Sequence, residues 1–209
     1  MFFNSYHKQR TFAIQVAFDS VTETDLRGIR NWLSGKNIGD LIFGEDEDRI
    51  FSAKVQSAPT LKYVCFDTKD GQRVYKGEGT INFIAYHPYA HSVNKQIANS
   101  SNIGRVKVEG TVDAPFTYII RHTVQNGTTI SLKCIDGDDT KVFSIVTKQS
   151  CANLEWNSKT GMIVTINDIN GSRTPIDFSG ESTVLLPSGY TITTPFAANE
   201  QLEFYNWYY

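Results

Sequence analysis

Gly79-Thr80-Ile81-Asn82-Phe83-Ile84-Ala85-Tyr86-His87-Pro88-Tyr89-Ala90 ends one kind of sequence and begins another. Residues 80–86 are rich in β-branched and aromatic side chains and predict a strand. His87-Pro88 stops it, because proline has no N–H for the ladder and biases the residue before it. The polar stretch Ser92-Val93-Asn94-Lys95-Gln96-Ile97-Ala98-Asn99-Ser100-Ser101-Asn102 follows. Together these features predict a domain boundary, with residues 1–93 on one side, 94–209 on the other, and the junction at Tyr86, His87, Pro88 and Tyr89.

Upstream of that junction the pattern is mostly β. In residues 10–18, Phe12, Ile14, Val16 and Phe18 alternate on one face, as a half-buried strand requires. Thr22-Glu23-Thr24-Asp25 has the form of a capping box. Leu26, Ile29, Trp32 and Leu33 then recur at helical spacing, with Trp32 expected as a core anchor and Gly35 as the left-handed stop. Leu41-Ile42-Phe43 leads into the acidic run Glu45-Asp46-Glu47-Asp48, which lacks the alternating ligands and glycine of a calcium loop and predicts a solvated turn. Residues 50–55 and 61–66 predict strands. Asp70-Gly71 predicts a turn that pairs the second of these with 73–76, and Gly77 to Gly79 suggest a bulge.

Downstream, short strands alternate with turn chemistry. The strand candidates are 106–108, 116–122, 129–134, 141–146, 154–157, 162–166, 182–185, 190–193 and 200–207. Asn126-Gly127, Asp136-Gly137-Asp138-Asp139, Lys159-Thr160-Gly161, Asn170-Gly171 and Pro187-Ser188-Gly189 punctuate them. Even spacing without a helical segment predicts an antiparallel β-sandwich.

Composition excludes several function classes. Charged residues are 20% of the chain and the net charge is -2, so no basic face is indicated for nucleic acid or an anionic membrane. No apolar run approaches the ~20 residues that cross a bilayer. The start, Met1-Phe2-Phe3-Asn4-Ser5, lacks the basic and apolar regions of a signal peptide. Cys65, Cys134 and Cys151 are too few and too widely spaced for a disulfide framework. Buried free thiols are expected, with a Cys134–Cys151 bridge left open.

Catalytic and metal signatures are missing. His7, His87, His91 and His122 form no zinc pattern, and a metal pair at His87 and His91 is weaker than a structural role. There is no nucleophile elbow or phosphate-binding loop. Asp136, Asp138, Asp139, Glu155, Asp168 and Asp177 supply carboxylates, but sandwich turns would scatter them. The expectation is a non-enzyme with no cofactor and no bound metal. Trp156, Tyr190 and Trp207 are candidate sugar-stacking residues for an alternative function, a carbohydrate-binding module for host adhesion. The competing expectation for both tryptophans is inward packing.

The order of motifs resembles the distal tail proteins of siphophages and prophages of Gram-positive bacteria. It runs from the Arg10-led strand ending Ala17-Phe18, through the helix ending Trp32-Leu33, Leu41-Ile42-Phe43 with its acidic loop, and Phe51-Ser52-Ala53-Lys54-Val55, to the Gly79–Ala90 segment. Leu154-Glu155-Trp156-Asn157, Met162-Ile163-Val164-Thr165 and Leu185-Leu186-Pro187-Ser188-Gly189-Tyr190 resemble the family's later strands and turn. The resemblance implies a ring-forming, β-barrel-like N-terminal domain, six copies of which form a ring in the family, and a galectin-like C-terminal β-sandwich. It implies a structural hub at the virion tail tip, present in the bacterial cytoplasm before assembly. The partners would be the tail tube, the tail-associated fibre or lysin, and receptor-binding or baseplate proteins. Ring contacts are expected first at the edges of residues 10–18 and 80–86. Family members carry several strands, including a belt, before the Arg-led strand. Met1 stands nine residues before Arg10, so the first domain is expected to be incomplete at its start, which weighs against a hexamer for this chain.

Overall fold

The structure is a computed structural model that describes residues 9–34, 38–57, 59–69, 71–166 and 171–209. The expectations at His7, Gly35, Asp70, Asp168 and Asn170, and at the first five residues, lie outside the described residues. Among the described residues the chain is mainly β with one helix, in antiparallel sheets. It divides into two compact units, Met1–Ala90 and His91–Tyr209.

The first unit contains β1 (Arg10–Thr22), α1 (Glu23–Leu33), β2 (Gly39–Leu41), β3 (Arg49–Val55), β4 (Thr60–Lys69) and β5 (Gln72–Ala85). β5 is its spine. β1 lies along one side of β5, while β4 and β3 share the other side, and β2 extends β3. Phe12, Ile14, Val16 and Phe18 alternate with exposed neighbours as the sequence predicts, and Phe12 stands 4.8 Å from the Phe51 ring. Phe12, Ile14 and Val16 join the buried residues Phe51, Ala53, Ile81, Phe83 and Ala85.

α1 starts at the capping box. Asp25 N–H donates to Thr22 Oγ1 at 3.3 Å, and Thr22 N–H donates to Asp25 Oδ2 at 3.1 Å. Leu26 and Leu33 are buried, but Trp32 is 68% exposed, contrary to expectation. At 100° per residue, Leu26, Ile29 and Leu33 fall within a narrow sector, whereas Trp32 lies a quarter-turn or more from Leu33.

A second correction concerns Gly77 and Gly79. They do not interrupt a strand, because β5 runs through both. The irregularities lie between Phe18 and Val21 in β1 and between Cys65 and Asp67 in β4. The two glycines serve close approach instead. A Cβ at Gly77 would stand 2.5 Å from Lys62 O, and one at Gly79 2.3 Å from Thr60 O.

β6 (Ala90–Ser92) follows the junction. The second unit then holds β7 (Gln96–Asn99), β8 (Phe116–Ile120), β9 (Thr129–Asp136), β10 (Asp139–Thr147), β11 (Leu154–Asn157), β12 (Met162–Ile166), β13 (Arg173–Pro175), β14 (Phe178–Gly180), β15 (Thr191–Ile192), β16 (Glu200–Phe204) and β17 (Trp207–Tyr208). It is a β-sandwich of a four-stranded sheet, β14-β10-β9-β15, and a six-stranded sheet, β13-β12-β11-β8-β16-β7. In β9, Ile130, Leu132 and Cys134 are buried between exposed Thr129, Ser131 and Lys133, the period-2 signature of a one-sided strand. Trp156, Leu132, Ile145, Leu154, Ile163 and Leu202 are fully buried.

Three further expectations change. The polar stretch after the junction contains β7, whose Asn99 pairs with Gln201 of β16, because a sheet-edge strand tolerates polar side chains on its open face. Residues 182–185 are not a strand, and Ser182 instead offers its carbonyl to the Trp156 indole. Residues 106–108 contribute only an isolated bridge, Lys107 to Thr191. All three cysteines are free. Cys134 and Cys151 are buried, but Cys65 is exposed on β4. Burial pushes the Cys134 thiol up to about 12, which keeps it in its unreactive protonated form.

Candidate functional site

Tyr86, His87, Pro88 and Tyr89 form a bend between β5 and β6. The His87 and Tyr89 rings lie 5.3 Å apart, and Lys54 Nζ stands 4.9 Å from the centre of the Tyr86 ring. His91 Nδ1 is 3.0 Å from Ser92 O. Each histidine therefore sits in its own local set of contacts.

The proposed sugar-stacking residues are placed differently from an exposed platform. Trp156 is fully buried, packs edge-on to Phe116 at 5.0 Å, and donates its indole N–H to Ser182 O at 2.8 Å. A ring with no accessible face cannot stack on a sugar, so the candidate role at Trp156 is corrected to core packing. Trp207 is 8% exposed, with Lys159 Nζ 5.8 Å from its ring centre. Tyr190 is half-buried, and its hydroxyl donates to Asp139 Oδ2. That hydrogen bond, burial and the nearby carboxylates push the Tyr190 phenol up to about 12.

The carboxylates are spread among separate partners. Glu155 pairs with Arg173 at 3.2 Å, and Asp139 with Lys141 at 3.6 Å. Among the described residues, no group of three or more His, Cys, Asp or Glu side chains is arranged to hold a metal ion.

Two sites were not visible in the sequence. The first is a polar cleft of about 350 Å³ in the sandwich, lined by Tyr118, His122, Gln125, Thr194 and Glu200 among others. Antiparallel pairing puts Glu200 opposite Ile120, so residues nearly eighty apart in sequence become neighbours. Glu200 accepts from Tyr118 at 2.8 Å and from the Ala197 N–H at 3.1 Å, and lies 2.9 Å from His122 Nε2. Burial pulls the Glu200 carboxyl upward. The hydrogen bonds from His122, the Ala197 N–H and Tyr118 outweigh it and hold the group below its ordinary value. The same carboxylate holds His122 above its ordinary value, chiefly through their hydrogen bond. Burial, then the bond to Glu200, raises the Tyr118 phenol.

The second is a groove of about 850 Å³ in the first unit, at the end of α1 and the C-terminal end of β3. Leu33, Val55 and Leu61 give it apolar walls, and Arg30, Lys54 and Tyr63 give it a basic and aromatic rim. Both sites are assembled from distant segments, so no local motif could have revealed them.

Among the described residues, β1 pairs only with β5, and its other edge has no partner. The 80–86 edge expected to be available is not, because β5 is flanked on both sides: Ala85 faces Arg10 of β1 and Ala53 of β3. Among the described residues β4 also pairs with β5 alone, and it exposes Tyr63, Val64 and Phe66.

No family model and no curated protein matches the sequence. A solved structure is similar in fold: SPP1 Dit (gp 19.1), described as a paradigm of the hub adsorption apparatus in phages that infect Gram-positive bacteria. The likeness has a TM-score of 0.51 at 13% identity, and it covers 97% of this chain and 80% of that one. The fold of this chain is therefore like that of a phage hub protein over nearly its whole length.

Proposed function

We propose that this chain is a structural hub protein of a phage tail tip. It would link the tail tube to host-recognition components through protein–protein contacts, without catalysis or a cofactor. The observation that carries this reading is the fold likeness to SPP1 Dit across both units. The sequence resemblance to distal tail proteins points the same way by an independent route, through the motif order from Arg10 to Ala90.

In this reading residues 1–93 are the ring-forming domain and residues 94–209 a galectin-like sandwich that docks baseplate, fibre or receptor-binding components. The two compact units support a division in this region. The unpaired edge of β1 and the exposed apolar side chains of β4 support self-association, because open edges and apolar strips favour pairing with another chain. The protein would act at the virion tail tip and exist in the bacterial cytoplasm before assembly.

The test is the mass of the full chain in solution, alone and mixed with a phage tail tube protein. A closed oligomer, six-membered if it follows the family, or a ring formed on the tube protein supports the hub. A chain that stays monomeric at high concentration and ignores the tube protein contradicts it.

A further inference from the structure

We propose that the groove at the C-terminal end of β3 receives the acidic loop Glu45–Asp48 of a second copy of this chain. The contact would run head to tail around the assembly. This rests on the self-association proposed above and adds a charged pair of surfaces to it.

The groove is suited to an acidic segment. Its cations are held by aromatic rings: the Arg30 guanidinium stands 5.4 Å from the centre of the Tyr63 ring and donates to its hydroxyl, and Lys54 Nζ is 4.9 Å from the Tyr86 ring centre. Contact with a ring face positions a cation without neutralising its charge. Among the described residues, no carboxylate lines the groove. Two positive charges therefore border a cavity whose walls are Leu33, Val55 and Leu61. An occupant with carboxylates on a compact backbone would satisfy both features.

The loop fits that description. Glu45, Asp46, Glu47 and Asp48 are all exposed. Among the described residues, only Asp46 of the four is in an ion pair, with Arg49 at 3.7 Å. The backbone is already shaped, since Asp46 N–H donates to Phe43 O at 2.9 Å and Arg49 N–H to Asp46 O at 3.0 Å. A preformed loop loses less conformational freedom on docking than a disordered one.

Topology decides between self and neighbour. The loop enters the N-terminal end of β3 and the groove lies at its C-terminal end. Seven residues of strand separate them by roughly 20 Å at about 3.3 Å per residue. A chain cannot place this loop in its own groove, but a neighbour can. Donor and acceptor surfaces at opposite ends of one strand make a heterologous contact, the kind that generates rings when the rotation closes.

The test uses the full chain in three forms, followed by sedimentation velocity and native mass spectrometry. One variant reverses the groove, Arg30→Glu with Lys54→Glu. The other reverses the loop, Glu45→Lys with Glu47→Lys and Asp48→Lys. Wild type should assemble, and should do so less as salt rises, because screening shortens charge interactions. Each variant alone should assemble at least tenfold more weakly. Mixing the two should restore assembly with strict one-to-one composition, since each basic surface then meets an acidic one. Recovery on mixing also shows that both variants are folded.

If both variants assemble as wild type does, the groove–loop contact is wrong, while self-association stands on another surface. If only the groove variant is impaired, or mixing restores nothing, the occupant is not this loop and the proposal falls. A wild type that is monomeric under all conditions removes the self-association reading and this contact with it.

Discussion

His122 Nε2, two residues past the end of β8, stands 2.9 Å from Glu200 Oε1 at the start of β16, and the pair makes stability depend on pH from both sides. The His122 pKa is raised in the folded state, so its contribution is complete below its ordinary value of 6.5 and is lost as pH rises through the folded value. The Glu200 pKa is lowered, so its contribution is present above its ordinary value of 4.5 and is lost as pH falls through the folded value. The two windows overlap between about pH 4.5 and 6.5. His122→Gln should therefore lower Tm most near pH 5.5 and least near pH 9. Thermal melts of both proteins across that range check this. A Tm difference that does not vary with pH would contradict an ion pair.

Gly28 and Gly79 should respond to alanine with opposite signs. Gly28 lies inside α1 with open space where a Cβ would go, so Gly28→Ala should stabilise the first unit by about 0.5–1 kcal/mol through helix propensity. Gly79 faces Leu61 in the β4–β5 ladder, where a Cβ would collide with Thr60 O. Gly79→Ala should cost about 1–3 kcal/mol, as overpacking against backbone does. Urea unfolding followed by circular dichroism measures both.

The helix cap offers a smaller and cleaner effect. Thr22 supplies the hydroxyl that receives the Asp25 N–H, and its own N–H reaches the Asp25 carboxylate. Thr22→Ala should cost about 1 kcal/mol, in the usual range for an N-cap. The Thr22 hydroxyl also donates to Asp25 Oδ2 at 2.7 Å, and that bond, ahead of the one from the Thr22 N–H, holds the Asp25 carboxyl below its ordinary value, so the penalty should shrink as pH falls through the acid range. A penalty that persists unchanged at low pH would mean that the hydroxyl alone carries the cap.

Much of this fold was legible because local periodicity and capping are local physics. The alternation from Phe12 to Phe18, the Thr22–Asp25 cap and the strand at 129–134 all follow from local sequence alone. The errors arose where tertiary context decides. Gly77 and Gly79 read as a break because sequence does not show that β4 approaches them closely. Residues 96–99 read as linker because a polar edge strand is recognised only by its partner, β16. The groove and the Glu200 cluster depend on β-pairings between distant segments, and no motif encodes those.

The three tryptophans separate packing from recognition. Trp32 is 68% exposed, Trp207 8% and Trp156 0%. Acrylamide should therefore quench mainly Trp32, and Trp32→Phe should remove most of the quenchable emission with little change in stability. Trp156→Ala should cost about 3–5 kcal/mol, because it opens a large cavity beside Phe116. It also leaves the Ser182 carbonyl without its indole donor, and such an unsatisfied group is expensive when buried. Trp156→Phe should recover part of the packing and none of the hydrogen bond, and so fall between. If soluble sugars quenched the emission of the Trp32→Phe protein, a sugar would be reaching Trp207 or Trp156. That result would revive the adhesion reading against the burial of both rings.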